Sequence, residues 1–80
     1  FEGPMKKLLQ VEAKKEYSIV KISEELKKDS SIISFLQKNK LLPGNTVTIE
    51  ENNDYSITVN INKNDNIGLD KFIADKVFVH

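Results

Sequence analysis

The sequence has no cysteine, no tryptophan, no arginine, and a single histidine at its last position, His80. Without cysteine it can build no disulfide scaffold, no thiolate zinc site and no cysteine nucleophile. The hydroxyls of Ser18, Ser23, Ser30 and Ser31 have no imidazole to activate them except one at the end of the chain. A net charge is missing too: 12 lysines face 12 Asp plus Glu. A protein that grips nucleic acid by neutralising phosphates needs a concentrated basic excess. No apolar run approaches the roughly 20 residues of a membrane span. The stretch from Met5 to Val11 is too short and too charged for a secretory signal. These absences predict a cytoplasmic, non-catalytic chain with no direct DNA contact and no membrane span.

What is present fits one small domain of 80 residues, whose single core can supply about 3–5 kcal/mol of net stability. The zero net charge hides an asymmetry. Residues 1–40 hold nine Lys and six acids, a balance of +3, and residues 41–80 hold three Lys and six acids, a balance of −3. Solvated surface accounts for both halves; the sharper alternative is that the acidic half faces a basic partner or a cation. Residues 1–5, Phe-Glu-Gly-Pro-Met, read as an expression remnant or the tail of an interdomain linker, and residues 6–80 as the domain.

Along that domain, Leu9, Val11 and Ala13 alternate with Gln10 and Glu12 as an extended segment would, and Lys14-Lys15-Glu16 reads as a turn. Tyr17-Ser18-Ile19-Val20-Lys21-Ile22 is short and β-branched, hence a strand. Ser23 to Asp29 is polar and reads as a loop or frayed turn. Asp29, Ser30 or Ser31 can then cap a helix whose apolar face is Ile32, Ile33, Phe35 and Leu36, ended by Asn39 and Pro43-Gly44. After Pro43 the period changes to two. Thr46 to Glu50 alternates, Glu51-Asn52-Asn53-Asp54 supplies a turn, and Tyr55, Ile57, Val59 and Ile61 form one buried face of a hairpin. After a second polar turn, Ile67-Gly68-Leu69 pairs back, Asp70 caps a single helical turn, and Val77-Phe78-Val79 closes the fold. The expected fold is mainly β: a small five-stranded SH3-like barrel, with one short helix after the first strand and a helical turn before the last. An OB-fold is the nearest competitor, but its helix falls later in the strand order.

The helix leading into Leu41-Leu42-Pro43-Gly44, the alternating Asn45-Thr46-Val47-Thr48-Ile49, then Ile67-Gly68-Leu69 and Ala74-Asp75-Lys76-Val77-Phe78-Val79, resemble the FeoA-type SH3-like domain across residues 8–79. That module occurs as a ferrous-iron transport accessory protein and as the C-terminal domain of metal-dependent repressors of the diphtheria-toxin-repressor family. Stand-alone members typically carry an Arg-rich helix start and a Gly just before the Leu-x-Pro-Gly turn. This chain has no Arg and places Asn39-Lys40 there. The acidic stretch Ile22 to Asp29 is more similar to the repressor domains.

The resemblance to the repressors implies an ancillary ferrous-iron or manganese site in the parent protein, with a Glu and, three residues on, a Gln from this loop. Glu24 falls on the first position and Lys27 on the second. A protonated ammonium has no lone pair to give a metal. Glu24 is therefore the candidate ligand, Glu25 and Asp29 are additional acidic candidates, and no metal is expected to bind tightly to the isolated domain. All three are equally accounted for as solvated surface among Lys21, Lys27 and Lys28. The implied partners are the other domains of a metal-dependent repressor or, alternatively, a ferrous-iron permease. A weaker third reading is a peptide adaptor whose groove is lined by Tyr17, Phe35, Tyr55, Phe72 and Phe78.

Overall fold

The computed structural model describes residues 5–80, so the reading of residues 1–4 as remnant or linker lies outside the described residues. Among the described residues six strands form one antiparallel sheet: β1 (Lys6–Lys7), β2 (Glu16–Ile22), β3 (Thr46–Asn52), β4 (Ser56–Ile61), β5 (Asp65–Asp70) and β6 (Val77–Val79). Their order across the sheet is β1-β6-β2-β3-β4-β5. The pairing of the last strand between the first two is the connectivity of an SH3-like barrel. The register shifts between Ile19 and Lys21 on β2 and between Ile49 and Glu51 on β3. Such bulges bend and twist a sheet, which lets short strands curl around one core.

That core is the inward-facing set that the period of two predicts, Val47, Ile49, Ile57, Val59, Ile61 and Leu69, joined by Ile19, Ile22, Val77 and Val79. The helices α1 (Glu24–Lys27), α2 (Ser30–Lys38) and α3 (Lys71–Ala74) contribute Leu26, Leu36 and Ala74. Asp29 caps α2, its Oδ1 accepting from the amides of Ser31 at 2.9 Å and Ile32 at 3.3 Å. Asp70 caps α3 by accepting from the Phe72 amide at 2.8 Å. Both caps agree with the sequence reading.

Three expectations are corrected. Leu8–Gln10 form a 3₁₀ turn where an extended segment was expected, and this aims Leu8 into the core. Ser23 to Asp29 is no loop. Ser23 caps the single turn α1, and fully buried Leu26 anchors it. A one-turn helix has no periodicity to betray it, so only packing makes it visible. Tyr55 does not join the buried face of the hairpin. It precedes β4 and is 88% exposed, while Asn53 Oδ1 organises the tip by accepting from the amides of Tyr55 and Ser56.

The end of α2 answers the departure noted above. Leu41 N–H donates to Leu36 O at 2.9 Å and Lys40 N–H to Gln37 O at 3.3 Å, with Lys40 in the left-handed region at φ 60. This is a Schellman motif, in which the left-handed position favours glycine. Lysine holds it here with Cβ strain. Lys40→Gly is therefore expected to raise stability by about 1 kcal/mol, read as a higher urea midpoint with an unchanged slope. A lowered midpoint would show that the Lys40 side chain contributes more than its backbone strain costs. The next turn uses glycine as required: Leu42-Pro43-Gly44-Asn45 closes through Asn45 N–H to Leu42 O at 3.2 Å with Gly44 at φ 98, a type II geometry.

Candidate functional site

The three candidate carboxylates lie on or beside α1, and the structure does not gather them. The Glu24 Oε1 atom is 3.4 Å from Lys27 Nζ, one turn along the helix. The ammonium that replaces an expected neutral ligand thus sits against the carboxylate as its counter-ion. Glu25 Oε2 turns instead to Lys76 Nζ at 3.3 Å, and Asp29 is occupied as the cap of α2. Among the described residues no three His, Cys, Asp or Glu side chains come together in a way that could hold a metal ion. One exposed carboxylate beside an ammonium is too small a donor set for a chelate. The residues present do not fit a metal site by themselves.

A different feature is built by the same elements. Between β2, α1, α2 and the Leu42-Pro43 turn lies an open groove of about 230 Å³, lined by Val20, Ile22, Ile33, Leu36, Leu42 and Pro43, together with Lys21 and Lys27. None of the five aromatic residues suggested for a peptide groove lines it. Phe35 and Phe78 are half-buried elsewhere, and Phe72 is 55% exposed with Lys76 Nζ 5.9 Å from its ring centroid. Tyr17 lies at the rim of the fold, its hydroxyl accepting from the Glu12 amide at 3.3 Å and its ring near Lys15 Nζ at 5.8 Å.

Sequence reasoning missed this groove, although a signal was there. Ile19-Val20, Ile32-Ile33 and Leu41-Leu42 are adjacent apolar pairs. Neighbours on a strand or helix cannot both face one core. In two of the pairs the first residue is buried, and in all three the second is only half-buried and lines the groove. The bulge at Val20 turns that side chain out of the strand's alternation.

What the groove offers is aliphatic surface beside two cationic side chains. The Lys27 ammonium is balanced by Glu24, and no ion pair of Lys21 is recorded among the described residues. No helix of the described chain is long and apolar enough to cross a membrane.

The FeoA domain family matches residues 6–80. No curated protein matches the sequence. Several solved structures share the fold, among them two that are informative here. One is the crystal structure of an iron uptake regulatory protein (FeoA), with a TM-score of 0.77, 18% identity and 96% of each chain covered. The other is a manganese-dependent transcriptional repressor in complex with manganese, with a TM-score of 0.84 and 14% identity. The alignment takes in 99% of this chain but only 37% of the repressor. At these identities the likeness is one of fold.

Proposed function

The chain belongs to the FeoA domain family, and from that premise we propose that it is the SH3-like regulatory and interaction domain of an iron- or manganese-dependent transcriptional repressor. It packs on the dimerisation domain of its parent and carries no chemistry of its own. The observation that supports this most is the unequal coverage: nearly all of the chain superposes on about a third of a repressor, as one domain of a larger regulator would. The aliphatic groove beside α1 is the surface we assign to that packing, since apolar area left open on one domain gains stability when another covers it.

The metal role we assign to the domain is limited to Glu24. The preceding domain would supply the other ligands, and the Lys27 ammonium would have to leave. Glu25 and Asp29 are less suited, one being paired with Lys76 and the other needed by α2. Titration of manganese or ferrous ion into the 80-residue chain, followed by calorimetry, is therefore expected to show no saturable binding in the micromolar range. Micromolar binding that disappears in Glu24→Ala would overturn this assignment.

A second reading has its own support, because the FeoA crystal structure is matched over 96% of both chains. In it the domain is an accessory protein that docks on a ferrous-iron permease. The coding region upstream of Met5 separates the two. The repressor reading expects a continuous frame encoding a helix-turn-helix and a dimerisation segment, whereas translation starting at Met5 would replace it with the accessory reading.

A further inference from the structure

At the far end of the sheet from β1, β5 is an edge strand. Its six residues pair with β4 without interruption, from Ile61 opposite Asp65 to Ser56 opposite Asp70. Among the described residues β5 pairs with no strand other than β4, and apart from the start of α3 at Asp70 no loop backbone hydrogen bond reaches it. A regular edge strand of this length leaves a row of unpaired N–H and C=O groups, and proteins usually blunt such an edge with Lys, Pro, a bulge or a covering element. β5 has no Lys, no Pro and no bulge.

Gly68, in the middle of the strand, is exposed, and a Cβ built there would meet nothing within 4 Å. Its backbone is not in the left-handed region. The fold itself therefore does not require glycine at this position, and glycine weakens a strand interior. Glycine in a strand also marks the place where another chain comes close, and an aromatic side chain from a neighbouring strand can cover its bare backbone. Next to Gly68 the partner strand offers Thr58, whose side chain is only half-buried.

Charge at the two ends of β5 narrows the partner. Asp65 and Asp70 bracket the strand, and no ion pair with either is recorded among the described residues. Among the described residues the one hydrogen bond to the Asp70 carboxylate comes from the Phe72 amide, as a cap. A second copy is disfavoured as occupant. Antiparallel self-pairing of the whole strand places Asp65 opposite Asp70 twice, and like charges directly opposite are destabilising.

We propose that the open edge of β5 accepts an extended segment of a partner protein as an added antiparallel strand, with an aromatic residue opposite Gly68 and a basic residue two positions earlier, opposite Asp70. Backbone hydrogen bonds supply the affinity, and the glycine vacancy and the Asp70 carboxylate supply the selection. This edge lies at the other end of the sheet order from β1 and lines no part of the aliphatic groove, so the inference is independent of the domain packing described above.

The probe is the peptide acetyl-Thr-Thr-Lys-Val-Tyr-Val-Thr-amide titrated into the isotope-labelled 80-residue chain. The amides of Ile67, Gly68 and Leu69 are expected to shift saturably and to exchange with solvent more slowly. Replacing the peptide's Lys by Glu should weaken binding about tenfold. Gly68→Thr should weaken it by a similar factor while melting no earlier than the parent, because the fold has room for the side chain. Asp70→Asn keeps the cap and removes the charge, so it should weaken the Lys peptide and leave a norleucine version unchanged. The proposal is overturned if the peptide leaves the β5 amides unmoved or binds Gly68→Thr as well as the parent. Shifts confined to the aliphatic groove, or β5 shifts that grow with protein concentration alone, would overturn it too.

Discussion

Leu36→Ala is expected to remove most of the domain's stability. Leu36 is fully buried in the core, and truncating a buried leucine costs about 2–5 kcal/mol, the lost transfer energy plus the cavity left behind. A domain of this size has about 3–5 kcal/mol to lose. Two roles meet at this side chain: it plugs α2 into the sheet and it lines the aliphatic groove, while the backbone carbonyl that accepts from Leu41 N–H in the Schellman turn is kept by the substitution. Circular dichroism during thermal melting should show a fall of roughly 10 °C or more, since 1 kcal/mol moves the midpoint of so small a domain by about 4–8 °C. Leu36→Met keeps the volume and should cost under about 1.5 kcal/mol. If Leu36→Ala melted with the parent, α2 would not be packed as described.

The ease of reading α2 and the difficulty of reading α1 share a physical origin. Asp29 with Ile32, Ile33, Phe35 and Leu36 is a local signal: the cap and the apolar spacing both lie within the segment that they fold. The hairpin residues Val47, Ile49, Ile57, Val59 and Ile61 are equally local, because alternation needs only one buried face. Leu8 is buried by elements distant in sequence, and both it and Leu26 sit in one turn too short to show a period. Tyr55 illustrates the opposite error. It keeps the alternation of β4 in sequence, but the turn centred on Asn53 delays the strand by one residue and leaves the ring in solvent.

The candidate site was legible in type and not in arrangement. That Glu24 faces an ammonium at position 27 follows from three-residue spacing on a helix, once α1 is known to be helical. The Glu25 link to Lys76 joins residues that only the β2–β6 pairing brings near, and Ser23 N–H donating to Lys76 O at 2.9 Å fixes that approach. The groove depends on the bulge at Val20 and on where the Leu42-Pro43 turn lands. Both are properties of the whole curled sheet and not of any single segment.

Ile57→Ala should be as damaging as Leu36→Ala, and it should fail in a different place. Ile57 is fully buried on β4, opposite Leu69 of β5 and Asn52 of β3. Its truncation is expected to cost about 2–5 kcal/mol, against about 0.5–1.5 kcal/mol for Ile57→Val. β5 draws its backbone partners only from β4, whereas β2 and β6 are paired on both sides. Loss of the Ile57 side chain should therefore release β5 by local opening before the rest of the sheet unfolds. Hydrogen exchange under native conditions distinguishes this from a uniform loss: the amides of Ile67 and Leu69 should lose more protection than those of Ile19 and Val79. Equal loss at all four would mean that the meander and the β2–β6 pair open together as one cooperative unit. In that case β5 would be held by more than its single ladder, and its edge would be less free to accept another strand.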